Sequence, residues 1–520
     1  MSTPSGRLVA VTAMLTACIV YNTPEVSEIP RPALTDSVRV SAPVKAHLLD
    51  GSTVVYPAGI RVERGLVHGT RSRPPAFRYG PTLRDSTPAA AIPLDSVMGF
   101  EAFWNSNNAP ASIGLTVLGT AATAVATAVL AVAIFGSCPT VYTDSAGTPT
   151  LEAEGFSYSI APLFEARDVD VLRGGADSTG ALRLEVRNEA LETHYINQLG
   201  VLQVARAADE LILPVPAGAP VAVRGLTPFT LARDRTGRDV GPDLVEADGR
   251  TFSTAPEVLE AVSAEDFTDA IELTFPRPAG QDTAVIVLRI RNSLLNTVLL
   301  YELMLGDPGL RALDWVGRDL QQVGTAARLG QWYGRTFGLS VAVHDGGELR
   351  AVGRVADTGP IAWKDVAVLV PIPRGDSLRV RLSFVADDWR VDRVALAGGW
   401  RRLVPRALAP LVVADSAGRP DTAALASLRD ADERYLVTQP GTRFHVRFAP
   451  APAPADSIAT FLLVMQGYYI EWVRGRWVQP HLSGAAFQPG TDALVEALGR
   501  WRRQAPELER RFYATRIPVR

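Results

Sequence analysis

AIELTFPRPAGQDTAVIVLRIRN, residues 270–292, holds two apolar stretches separated by Pro, Gly and polar residues. In the first, Ile271, Leu273 and Phe275 alternate with Glu272 and Thr274, the two-residue period of a strand. The second, AVIVLRIRN, is a short apolar run of strand length. The same signature extends upstream through ALRLEVRN, LGVLQVAR, LILPVPA and PVAVRG. Strands that recur without intervening helices predict a β-sandwich. Downstream the period changes. LLNTVLLYELMLG and LRALDWVGRDLQQVGTAARLGQWYG read as helical, with a break at Gly306, Asp307 and Pro308. Strands return at LSVAVHD, LRAVGRV, VAVLVPI, LRVRLSF and WRVDRVAL. Near the end a helical pair is expected. Thr491 caps its first helix, Leu494, Leu498 and Trp501 share a face, and Pro506 opens the second helix.

Working towards the other end, KAHLLDGSTVVYPAG carries Asp50-Gly51 between two short segments, a two-residue hairpin signal. The expected fold class is mainly β with some α, in a multi-domain chain. It comprises a small barrel-like N-terminal β unit, one transmembrane-like helix, β-sandwich-like domains and a helical insertion. The expected boundaries are a signal peptide 1–17, a tether 18–34, a small β domain 35–104 and a linker 105–112. A hydrophobic helix 113–135 follows, then a β-sandwich-like domain 136–290 and a helical segment 291–338. A second β domain 339–455 and a C-terminal α/β segment 456–520 complete the chain.

At 520 residues, several domains are required. Charged residues at 21% and hydrophobic residues at 47% exclude a disordered chain. A formal net charge of −3, with no basic run, argues against nucleic acid as a partner. The cations are nearly all Arg, with Lys only at Lys45 and Lys364.

The first residues, MSTPSGRLVAVTAMLTAC, place Arg7 before a short apolar core and small residues before Cys18, the layout of a secretory signal. Leu15-Thr16-Ala17-Cys18 resembles the lipobox of bacterial lipoproteins. That resemblance implies cleavage before Cys18, a lipid on its sulfur, and a membrane-anchored place in the cell envelope. Ile19 follows the cysteine, and the absence of Asp there leans towards the outer membrane. Residues 137–197 loosely resemble a block of bacterial envelope proteins with no assigned chemistry. Ser137-Cys138-Pro139, Tyr142, Glu152 to Phe156, and RNEALETHYINQL around Asn188, Glu189, Glu192 and Thr193 carry the likeness.

Residues 113–135 hold no charge and, as a helix, would reach roughly 35 Å at about 1.5 Å per residue. Small residues recur every fourth position, as at Gly119, Thr123, Thr127 and Ala131, which suits helix self-association in a bilayer. A lipid on Cys18 and a true span at 113–135 would put the tether and the main body on opposite sides of one membrane. A hairpin, a surface-lying helix or packing in an oligomer would reconcile them; otherwise one of the two expectations fails.

Sequence motifs for chemistry are scarce. The six histidines stand singly, without metal-ligand spacing. Glu152 with Glu154, and Asp387 with Asp388, form acidic pairs of the kind used for general acid–base work, but solvated faces and a turn into WRVDRVAL explain them first. QGYYIEWVRGRW offers a candidate interaction surface at Tyr468, Tyr469, Trp472, Arg474, Arg476 and Trp477. No catalytic residue, cofactor or metal site is expected. The expected function is a lipid-anchored envelope protein with a scaffold, assembly or interaction role, contacting membrane lipid and a protein partner. The alternatives are a two-compartment sensor or transport accessory, and a glycan-binding or glycan-cleaving envelope protein.

Overall fold

A computed structural model describes residues 24–29, 38–42, 44–48, 53–56, 58–70, 91–105, 139–145, 148–160, 162–190, 192–304, 323–432, 434–438, 441–471 and 488–514. The N-terminal unit contains β1 (Pro24–Ile29), β2 (Arg39–Val40), β3 (Val44–Leu48), β4 (Thr53–Tyr56), β5 (Ile60–Glu63), β6 (Leu66–Gly69), β7 (Ile92–Pro93) and β8 (Val97–Asn105). They make two four-stranded sheets, β1-β8-β3-β4 and β2-β5-β6-β7. Val44, Tyr56, Ile60, Val67 and Phe100 fill the core they share. β3 and β4 form the expected hairpin, although Asp50-Gly51 lies outside the described residues. Gly59 has φ +93°, and a Cβ there would collide with the Val40 carbonyl, so only glycine fits the turn.

The main body is two sandwiches, one set inside the other. The chain runs through β9 (Thr140–Ser145), β10 (Thr148–Glu154), β11 (Ala166–Leu172), β12 (Leu182–Arg187) and β13 (Glu192–Arg206). It continues as β14 (Leu211–Leu213), β15 (Val221–Thr227), β16 (Leu231–Asp234), α1 (Pro256–Glu260), β17 (Thr268–Pro276) and β18 (Thr283–Asn292). Then come α2 (Leu295–Thr297), which runs on as a π-helix Val298–Met304, and α3 (Val323–Thr336). β19 (Leu339–Asp345), β20 (Glu348–Val355), β21 (Lys364–Pro371), β22 (Ser377–Val385) and β23 (Trp389–Arg402) follow. The last elements are β24 (Arg406–Leu408), β25 (Val412–Asp415), α4 (Thr422–Leu428), β26 (Leu436–Thr438), β27 (Arg443–Phe448), β28 (Ile458–Glu471) and α5 (Thr491–Ala514).

The outer sandwich packs the sheet β10-β9-β12-β27-β25 against β11-β28-β13-β24, with β26 on β13. The inner one packs β14-β15-β23-β18-β21 against β16-β17-β22-β19-β20. β13 and β28 pair from Glu192↔Glu471 to Arg206↔Ile458 and close the outer sandwich around the segment carrying β14–β23. The expected division at 290 and 339 therefore does not follow the sheets: β18 hydrogen-bonds to β21 and β23, far downstream. Local patterning marks a strand, but its partner is chosen by which apolar faces can be covered together.

β18 shows this directly. Ala284, Ile286, Leu288 and Ile290 face the inner sandwich core. Val285 and Val287 join a second cluster with Leu213, Val223, Ala367 and Ala397, all from the same sheet. That sheet rolls towards closure, because Ala367 N donates to Pro214 O (2.9 Å) across its two edge strands. A strand covered on both faces needs an unbroken apolar run, and AVIVL is one.

The expected helical segment is present as α2, the π-helix and α3, with 305–322 outside the described residues. The C-terminal helical pair is instead one helix, α5, with Pro506 inside it. Leu494, Leu498, Trp501 and Leu508 continue one buried face across the proline, so packing outweighs the local cost of about 3 kcal/mol. Leu494 N donates to Gly490 O, so Thr491 is the first helical residue and not the cap. Among the described residues no helix is long and apolar enough to cross a membrane. Residues 113–135, Cys18 and Cys138 lie outside them.

Candidate functional site

A cavity of about 470 Å³ opens where the β10–β11 loop and the start of β11 in the outer sandwich meet α3 and the β20–β21 loop of the inner one. Its walls are aromatic: Tyr158, Phe164, Tyr333 and Phe337 line it. Tyr333 stacks on Phe337 at 4.5 Å, and Tyr158 leans on Tyr333 at 6.3 Å. Phe164 lies so close to α3 that a Cβ at Gly330 would come within 2.7 Å of it. The β10–β11 loop is held in an unusual shape, with Phe156 at φ +36° and Tyr158 at φ +62°. Such backbone costs of order 1–3 kcal/mol per residue and persists only where its surroundings over-determine it. Here Phe156 is fully buried and anchors the loop.

Two carboxylates line the cavity without a cationic hydrogen-bond partner among the described residues. Glu165 accepts from Asn197 Nδ2 (2.6 Å), Gln466 Nε2 (2.8 Å) and Tyr435 OH (2.7 Å). Asn197 is the extra residue of a β-bulge between Ile196 and Gln198, and the bulge turns its amide towards Glu165. Asp357 accepts from Tyr333 OH (2.5 Å) and Asn292 Nδ2 (3.0 Å). The same amide lies 3.4 Å from Asp388 Oδ2, and Asn296 Nδ2 donates to Asp388 Oδ1 (3.1 Å). Asn292 Oδ1 in turn accepts from the Thr358 (2.7 Å) and Gly359 (3.3 Å) amides. One asparagine thus joins a cavity carboxyl to a fully buried one.

Burial pushes the Asp388 carboxyl well above the usual carboxylate range, and the nearby Asp357 charge adds to this. Burial also raises Asp357, against the opposing effects of Tyr333, Asn292 and Arg354. A carboxyl raised in the folded state stabilises it fully below the unfolded value near 4, and that contribution is lost as pH climbs through the folded value. Asp388→Asn keeps the shape and removes the titration. Its melting temperature relative to wild type is expected to rise steadily from pH 4 to pH 8. A difference that does not change with pH would show that Asp388 ionises normally.

A second polar cluster ties the two sandwiches together next to the cavity. Lys364 Nζ reaches Asp168 (3.4 Å) and Asp170 (3.1 Å). Glu154 takes the Ile361 (2.8 Å) and Ala362 (3.2 Å) amides. At Gly359, φ is +88° and a Cβ would strike the Glu154 carboxylate, so the loop can pass this close only as glycine.

The acidic pairs expected on solvated faces are buried. Glu152, the extra residue of a bulge, takes the Arg173 (2.7 Å) and Gly174 (3.1 Å) amides and the Thr143 hydroxyl, while Glu154 serves the loop above. Desolvating either would be costly without those donors. Asp387 sits in the expected turn, with φ +58°, and holds Arg390 (2.8 Å) and Trp501 Nε1 (2.7 Å). His194 lies on Glu192 at 3.1 Å, both fully buried, and burial pushes the imidazole down to about 3. Among the described residues no group of His, Cys, Asp or Glu forms a metal site.

In the candidate aromatic surface, Tyr469 is core beside His194, at 6.5 Å between rings. Tyr468 stacks on Tyr195 at 4.6 Å with Tyr435 edge-on, so its ring is satisfied inside the protein. Trp472, Arg474, Arg476 and Trp477 lie outside the described residues. Sequence reading missed Glu165, Tyr333 and Asp357. Their partners lie up to 301 residues away, and no local spacing announces them.

No family model matches this chain, and no curated protein matches it. Among solved structures, it shows 10% identity to the C-terminal CBM6 of the laminarinase LamC from Zobellia galactanivorans, over 38% of this chain and 98% of that one, with a TM-score of 0.14. An α-xylosidase of the GH31 group from Xanthomonas citri shows 9% identity over 85% and 38%, with a TM-score of 0.14. The infectious bursal disease virus Gx strain structure shows 10% identity over 73% and 86%, again with 0.14. Scores this low define no shared fold, and the chain is assigned to no family.

Proposed function

We propose that this chain is a lipid-anchored bacterial envelope protein with an interaction role, whose double sandwich is a binding body and not a catalyst. The observation that carries the binding part is the cavity between the sandwiches, mostly apolar with a few convergent polar groups, the usual make-up of a ligand pocket. Its acidic groups support binding over catalysis. Glu165, Asp168 and Asp357 are each held by side chains of the protein, and among the described residues none of them hydrogen-bonds to a Ser, Thr, Cys or His side chain. The anchor is supported by the first 18 residues, where an acyl chain on Cys18 would partition into lipid at about 0.8 kcal/mol per buried CH₂.

In a bacterial host fed labelled palmitate, the protein is expected to take up label and sediment with membranes. Cys18→Ala is expected to abolish both. An unlabelled wild-type protein would sink the anchor. Placement of the body is tested with Ser416→Cys on a Cys138→Ser background, since Ser416 is in the exposed turn after β25. An impermeant thiol reagent is expected to label it once the outer membrane is opened. Labelling only after the inner membrane is broken would place the body in the cytoplasm and favour a two-compartment sensor.

A further inference from the structure

We propose that the cavity between the sandwiches selects a small organic cation: an ammonium group carried on an aromatic or alkyl body. The inference rests on the binding role proposed above and adds the ligand's charge. Three groups of observations lead to it. The walls offer the rings of Tyr158, Tyr333, Phe164 and Phe337, whose faces attract cations. Glu165 brings a carboxylate solvated by three neutral donors and, among the described residues, no ion partner. Asp357 brings a second carboxyl, bonded to a phenol and an amide.

The other charges at the cavity fit this assignment. Asp168 is neutralised by Lys364. Arg167 and Arg354 also line the cavity; both are exposed to solvent, which weakens their field without removing it, since Arg354 still acts on Asp357. The carboxylates and rings lie deeper, where an electrostatic contact is stronger.

The test is a head-group series on one body, read by calorimetry on the folded chain: phenethylamine, phenethyl alcohol and phenylacetate. Phenethylamine is expected to bind saturably and about tenfold or more tightly than the other two, a gap of about 1.4 kcal/mol. Glu165→Gln is expected to weaken the amine about tenfold and leave the alcohol unchanged. Gly334→Leu starts a side chain where a Cβ meets nothing within 4 Å, and it is expected to weaken all three by occupying the cavity while leaving the circular dichroism spectrum unchanged. Should the alcohol or phenylacetate bind as tightly as the amine, the charge assignment is overturned while the binding body stands. Should none of the three bind the wild-type chain, both fall. The head-group comparison on wild type decides the matter even where Glu165→Gln does not fold.

Discussion

Lys364→Ala is expected to destabilise the junction between the two sandwiches by about 3–5 kcal/mol at pH 8, the usual cost of removing one partner from a buried ion pair. The side chain is 11% exposed and sits between Asp168 and Asp170. Burial pushes the Asp170 carboxyl up to about 6 even with the lysine there to oppose it. Without Lys364, Asp170 rises further, and two carboxyls face each other with little water. The sign follows from that rise. The folded variant binds a proton more tightly than the unfolded chain, so its stability falls as pH rises, and the loss is expected to be smaller at pH 5 than at pH 8. Urea unfolding followed by near-ultraviolet circular dichroism at both pH values measures it. The triple change Lys364→Met, Asp168→Asn, Asp170→Asn is expected to recover most of the loss, because no charge is left stranded. A loss under about 1 kcal/mol at pH 8 would mean that water reaches the triad freely.

Trp501→Ala is expected to release α5 from the junction, at a similar cost of about 3–5 kcal/mol. Trp501 is fully buried, among Leu494, Ala497 and Leu498, and its Nε1 donates to Asp387 Oδ2 at 2.7 Å. The same aspartate binds Arg390, which reaches on to Glu509 in α5 (3.1 Å). One side chain therefore supplies ring burial and completes the polar clasp at the head of β23. Trp501→Phe separates the two contributions: the ring stays, the donor goes, and a loss of about 1–3 kcal/mol is expected. Hydrogen exchange of the α5 amides reads both, since the chain has several cores and one global midpoint would blur them. Unchanged protection of α5 in Trp501→Ala would show that the helix is held elsewhere.

Both residues show how much of the architecture local patterning can carry. Strand after strand was legible: AIELTFP and AVIVLRIRN became β17 and β18 because apolar parity dictates which face is buried. The hairpin of β3 and β4 and the helix α3 were legible for the same reason, but the expected tether 18–34 contains β1, which pairs with β8 and joins the N-terminal unit, because prolines at and beyond its ends leave Glu25–Ile29 free to extend. Partner choice was not. β13 pairs with β28 more than two hundred residues later, so a segment read as one domain is divided between two. Pro506 was read as a helix start because proline lacks an N–H, and the buried face on both sides of it prevailed.

The site was the least legible part, for a related reason. Glu152, Asn197 and Asp392 are each the extra residue of a β-bulge, and each is buried and hydrogen-bonded. In sequence they look like polar residues on the solvent side of a strand. An inserted residue turns them inward, and nothing local marks the insertion. Glu165 finds its donors on β13, on β28 and beside β26, and Asp357 finds its donors on α3 and β18, all distant in sequence; the cavity they line forms where the two sandwiches meet. The sequence by itself determined the strands, their buried parity and the β-rich class, because side-chain period is a local property. Tertiary structure alone decided the nesting, the burial of the acidic pairs and the cavity, because those depend on which distant surfaces exclude water together.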